Sequence, residues 1–120
     1  VSTAALKIVP TSNLVGEGVD YDNAAEFLGH VTAIGNAWTQ QIGGFGGLYV
    51  HGKGATFFAR WGNSHDRVGT GLTAADACLD LVAKLARDLK AWARDDSCDL
   101  ASALEASIAL LKLEDFEVVR

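Results

Sequence analysis

The sequence predicts an α+β fold, a small antiparallel sheet of three to four strands packed with two to three helices. Three observations carry that expectation. Phe27, Val31, Ile34, Trp38 and Ile42 recur at three- and four-residue spacing, and so do Cys78, Leu81 or Val82, Leu85, Leu89 and Trp92. Each set lays one apolar stripe along a helix. Between them, two aromatic and β-branched runs, 48–51 and 55–61, flank Gly52-Lys53-Gly54, which is the pattern of a hairpin. Helices set apart by a hairpin, rather than alternating with single strands, indicate an antiparallel sheet instead of βαβ units.

The expected order is β-α-β-β-α-α with a closing strand. Residues 4–9 read as a short strand stopped by Pro10, and 10–20 as a loop. The first helix begins near Asp22 or Asn23, where Asn23 and Glu26 have the spacing of a capping box. Gly29 and Gly35 each cost this helix about 1 kcal/mol relative to alanine, so they point to close approach by the sheet or a second subunit. The glycines of 43–47 end the helix. They follow a helix and open a strand, the reverse of a phosphate-binding loop, and no Gly-Lys-Ser/Thr occurs.

Residues 62–72 read as a polar loop. Thr73 caps the second helix with Asp76 at its third position, and Asp80, Lys84 and Asp88 alternate in sign along its outer face. The 94–97 segment breaks the pattern. A third helix runs from about Asp99 with Leu100, Leu104, Ile108 and Leu111 on one side, and 115–120 reads as a last strand, with a frayed tail as the alternative.

Composition narrows the function classes. At 120 residues, 49% apolar and 21% charged, the chain has the size and make-up of one globular domain. Its net charge of −5 comes without any cluster of Lys and Arg, which argues against nucleic acid. No apolar run has bilayer-spanning length, and Val1 to Leu6 lacks the basic and long apolar regions of a signal peptide. Cys78 and Cys98 match no zinc spacing. They read as two buried free thiols in a reducing cytoplasm, with a disulfide between the second and third helices as the alternative. No cofactor is expected.

Two constellations could carry function. His51 could converge with His65 and Asp66 on a metal or small ligand, although no fourth ligand is apparent. Ser64, His65, Asp66 and Arg67 are adjacent in sequence, which is not a catalytic arrangement, and no catalytic residue is assigned. The stronger candidate is a binding surface of Tyr49, Phe57, Phe58, Arg60, Trp61 and Arg67. Strand alternation sends Phe57 and Phe58 to opposite faces of the sheet. Helices cover one face, and the other stays open unless the third helix or another protein covers it. Exposed aromatics beside arginine have the composition of an interface hot spot. A sheet covered on both faces is the competing expectation.

A helix ending in Ala37-Trp38, a glycine-broken turn, the strand 55–61 and Gly71-Leu72-Thr73-Ala74-Ala75-Asp76-Ala77 opening a Leu-rich helix together resemble small bacteriophage and prophage proteins of the ABA-sandwich kind. The resemblance covers roughly 23–93 and implies a phage accessory protein with no defined activity. The α-β-β-α order is also similar to a double-stranded RNA-binding domain, but Asp76 and Asp80 stand where that family carries phosphate-contacting lysines. The resulting expectation is a cytoplasmic, non-enzymatic protein that binds another protein, as a homodimer, and inhibits a host factor or defence enzyme. A ligand or metal activity at His51, His65 and Asp66, or a virion component, are the alternatives.

Overall fold

The computed structural model describes residues 4–6, 21–42, 46–62, 67–95, 98–114 and 116–118, with backbone alone for 4–6, 21–25, 42 and 116–118. The elements are β1 (Ala4–Leu6), α1 (Tyr21–Ile42), β2 (Leu48–Lys53), β3 (Thr56–Trp61), β4 (Val68–Gly71), α2 (Ala74–Arg94), α3 (Leu100–Leu113) and β5 (Phe116–Val118). The fold is α+β, as expected. β2, β3 and β4 form an antiparallel sheet with β3 central. Two expectations need correcting. The stretch 62–72 is not all loop, because β4 lies within it. The first strand does not join the main sheet either, since β1 pairs in parallel with β5, Ala5 level with Glu117. The expected residues 7–9 of that strand, the 10–20 loop and glycines 43–45 lie outside the described residues.

The hairpin turns on Gly54-Ala55. Lys53 pairs with Thr56 across it, and Gly54 takes a φ of +65°, which a glycine adopts without a Cβ clash. Alternation then divides the sheet. Val50, Phe57, Ala59 and Trp61 face inward and are buried, whereas Tyr49, His51, Phe58 and Arg60 face the other way. α2 lies against all three strands on the inner side, and α1 packs on α2. Phe27, Val31, Ile34 and Trp38 of α1 are buried, as their spacing implied, with Cys78, Leu81, Val82, Leu85 and Leu89 of α2. Gly35 lies against the ring of Trp61, so the close approach expected there is real and comes from the sheet. Gly29 has open space where a Cβ would stand, so the sheet does not approach it.

Thr73 caps α2, its Oγ1 accepting from the Asp76 amide at 3.1 Å. Asp99 caps α3 by accepting from the Ala101 amide at 3.3 Å. Two glutamines of α1 dock that end: Gln41 Oε1 accepts from the Asp99 amide at 2.9 Å, and Gln40 Oε1 accepts from the Ser102 hydroxyl. α3 packs mainly on α1. The face it buries is Ser102, Ala106, Ala109 and Leu113, not the leucine-rich side. No helix among the described residues is long and apolar enough to cross a membrane.

The acid and base of α2 lash it to β4 rather than simply facing solvent. Asp80 Oδ2 accepts from the Thr70 amide at 2.9 Å, and Lys84 Nζ donates to the Val68 carbonyl at 2.7 Å and to Asp80 at 3.1 Å. Asp88 pairs with Arg67, whose Nε lies 2.6 Å from Oδ2, and also accepts from Trp38 Nε1 at 3.2 Å. Burial pushes the Asp80 carboxyl upward, but the Thr70 amide, Lys84 and Arg87 outweigh it and hold it below the ordinary carboxylate value. A depressed folded-state pKa means the stabilisation is complete above the unfolded value and disappears as pH falls through the folded one. Asp80→Asn is therefore expected to cost roughly 0.5–1 kcal/mol at neutral pH, discounted for its partial exposure. Thermal midpoints of both proteins between neutral and acid pH check this. The gap should close below about pH 4, and a gap independent of pH would contradict the ionic role.

Candidate functional site

The outer face of the sheet is built by hairpin register. Tyr49 stands opposite Arg60, and His51 opposite Phe58, which in turn stands opposite Thr70. Both cross-strand pairs are in contact. The Arg60 guanidinium carbon sits 5.5 Å from the Tyr49 ring centroid, within cation–π range. His51 stacks on Phe58 with centroids 5.3 Å apart and planes 17° from parallel. Tyr49 is 54% exposed. α3, which could have covered this face, packs on α1 and α2 instead.

Charge is distributed unevenly over this face. The outward positions of the three strands are Tyr49, His51, Lys53, Thr56, Phe58, Arg60, Val68 and Thr70, with no carboxylate among them. A chain of net charge −5 thus carries one sheet face that is basic and aromatic. Arg60 Nε is shielded from solvent and has no hydrogen-bond partner among the described residues.

Of the six residues expected to form the binding surface, Tyr49, Phe58 and Arg60 share this face. Phe57 and Trp61 do not: they are 7% and 1% exposed on the inner face, and Trp61 Nε1 donates to Thr39 Oγ1 at 2.7 Å. They are core residues. Arg67 points inward as well, to Asp88. His51 belongs to the face as a stacking partner, a role the sequence reading missed. A turn of Gly54-Ala55, two residues rather than the three of Gly52-Lys53-Gly54, is what sets His51 across from Phe58.

His65 and Asp66, proposed with His51 for a metal or ligand, lie outside the described residues. Among the described residues no three His, Cys, Asp or Glu side chains are grouped to hold a metal. Both cysteines are free thiols. Cys78 is fully buried and its thiol is pushed up to about 12 by that burial, which makes it a poor nucleophile, while Cys98 is only partly buried.

A second surface was not foreseen. Leu100, Leu104, Ile108 and Leu111 are 80%, 59%, 46% and 65% exposed, a continuous aliphatic stripe on α3. It borders an apolar groove between α2 and α3 lined by Leu79, Val82, Leu110 and Leu111. Compared with protein-family models, curated proteins and solved structures, the chain matches none.

Proposed function

We propose that this is a non-enzymatic binding protein whose outer sheet face docks another protein presenting acidic and apolar side chains. The observation that carries the reading is the pair of stacked contacts, Arg60 on Tyr49 and His51 on Phe58, with no carboxylate among the outward strand positions of the described residues. Tyr and Arg are the residues that dominate interface energetics. Stacking holds their rings in place before binding, which lowers the ordering cost. Arg60 offers a planar fork suited to a carboxylate. The net negative charge of the chain repels an acidic partner, and the basic strand positions of this face attract it.

Action as a phage accessory protein, inhibiting a host factor or defence enzyme, is the outer layer of the proposal and rests on the resemblance over roughly 23–93 alone. The test is a photo-cross-linking amino acid at position 49, expressed in the organism that carries the gene, with the same probe at the exposed position 87 of α2 as control. One predominant protein adduct is expected at 49 and not at 87, and Arg60→Glu should abolish it. Equal labelling at both positions, or an adduct removed by nuclease, would overturn the reading.

A further inference from the structure

We propose that α3 is a self-association element, and that two copies of this chain pair through antiparallel α3 helices. The inference is independent of the sheet-face reading. At 100° per residue, Leu100, Leu104, Ile108 and Leu111 fall within an arc of about 80°, nearly opposite the buried Ser102, Ala106, Ala109 and Leu113. A helix apolar on both sides is built to be covered on both. α1 covers one side, and nothing among the described residues covers the other. The four exposed side chains present on the order of 400 Å² of aliphatic surface, the size of patch that marks an interaction site.

The sequence of the face identifies a second copy as the occupant. Run the helix against itself with a two-fold axis between Ile108 and Ala109. With a rise of about 1.5 Å per residue, the partner's Leu111 then falls midway between Leu104 and Ile108, and Leu111 falls between the same two residues of the partner subunit. Within that overlap the knobs of Leu104, Ile108 and Leu111 interleave, and Leu100 extends past the end of the partner's helix. The same register sets Glu105 level with the partner's Lys112, and symmetry makes that pair twice. Glu105 and Lys112 lie about 20° apart around the helix, on one flank of the stripe, so both pairs form at its edge. The two Glu105 side chains are then separated axially by about 10 Å, near one Debye length at physiological salt. A parallel pairing sets each residue level with its own copy and forms neither ion pair. The two helices overlap over 104–113, so Leu104, Ile108 and Leu111 of each copy meet and remove roughly 600 Å² of aliphatic surface, and Glu105, Ser107 and Lys112 add to it, a contact of the weak class below about 1,200 Å².

The test is sedimentation of the full chain from about 1 to about 200 µM, with dissociation constants compared through the usual logarithmic relation. A monomer–dimer equilibrium is expected. Glu105→Lys and Lys112→Glu should each weaken it by roughly tenfold, and the double reversal should restore it, because the pairs reform with opposite sense. Leu104→Glu should abolish the dimer while leaving the thermal midpoint of the monomer in place, since that side chain faces water. A chain monomeric throughout the range, a larger assembly, or a dimer indifferent to the single reversals overturns the proposal. A monomer that still gives the position-49 adduct leaves the sheet-face reading standing. A dimer that gives no adduct does the reverse.

Discussion

Replacing Gly69 by alanine is expected to cost about 3 kcal/mol or more, from a single methyl group. A Cβ at Gly69 would stand inside van der Waals distance of the Ala77 carbonyl oxygen and the Leu81 amide nitrogen. Both are backbone atoms of α2, so no rotamer change relieves the clash. Gly71 repeats the situation one pleat on, with its Cβ position 2.8 Å from the Ala77 amide nitrogen. The strand must shift or α2 must lift, and α2 carries Leu81, Val82, Leu85 and Leu89 into the core. Gly69 is not among the glycines with positive φ, so it is selected for space and not for conformation. Alanine in place of a conformationally unrestrained glycine ordinarily stabilises by reducing the entropy of the unfolded chain. Gly29→Ala supplies that control, since nothing stands within 4 Å of its Cβ position, and it should gain roughly 0.5–1 kcal/mol in mid-helix. Urea midpoints of the two variants should therefore move in opposite directions. A Gly69→Ala protein as stable as the parent would mean that α2 does not lie on β4 at this distance.

The same glycines explain why β4 could not be read from the sequence. Its inward positions must be empty to admit the α2 backbone, so Val68-Gly69-Thr70-Gly71 carries none of the alternating bulk that marks a strand. With β4 invisible, Asp80 and Lys84 looked like a solvated ion pair instead of the clasp to Val68 and Thr70. α1, α2 and the hairpin were legible because each has one strongly apolar side, and the period alone orients it. The two faces of β3 were legible as two faces, but Phe57 and Trp61 alternate with Phe58 and Arg60, and aromatic content cannot say which set is inside. The room beside Gly35 decides it in favour of Trp61.

The inward side of α3 is not legible in the sequence for a related reason. Its alanine-rich and leucine-rich sides both qualify as core by composition. The small side goes inward because Ser102, Ala106 and Ala109 allow close packing on α1, with Gln40 and Gln41 fixing the capped end. The leucines are left for an outside surface. Thus strand alternation separates Tyr49, Phe58 and Arg60 from Phe57 and Trp61 without saying which set lies outside, and the α3 stripe required knowing which neighbour had already been satisfied.

Trp61→Ala is expected to cost about 3–5 kcal/mol, enough to unfold much of the population of an ordinary small protein. The indole is 1% exposed, packs on the bare Cα of Gly35 and donates to Thr39 at 2.7 Å. Its removal leaves a large cavity at the joint between α1 and the sheet. Tyr49→Ala, on the outer face, should cost no more than about 1 kcal/mol, so the two variants separate loss of fold from loss of binding. A sharper version couples the ring to its glycine. Gly35→Ala alone drives a methyl into the Trp61 ring, and Trp61→Leu alone leaves a void there. In the double variant the methyl occupies part of that void, so the combined loss should fall short of the sum by at least about 1 kcal/mol. Denaturant unfolding of the four proteins in the cycle measures this coupling directly. If the two losses simply add, Gly35 is not the residue that makes room for Trp61, and the inward assignment of that face loses its physical basis.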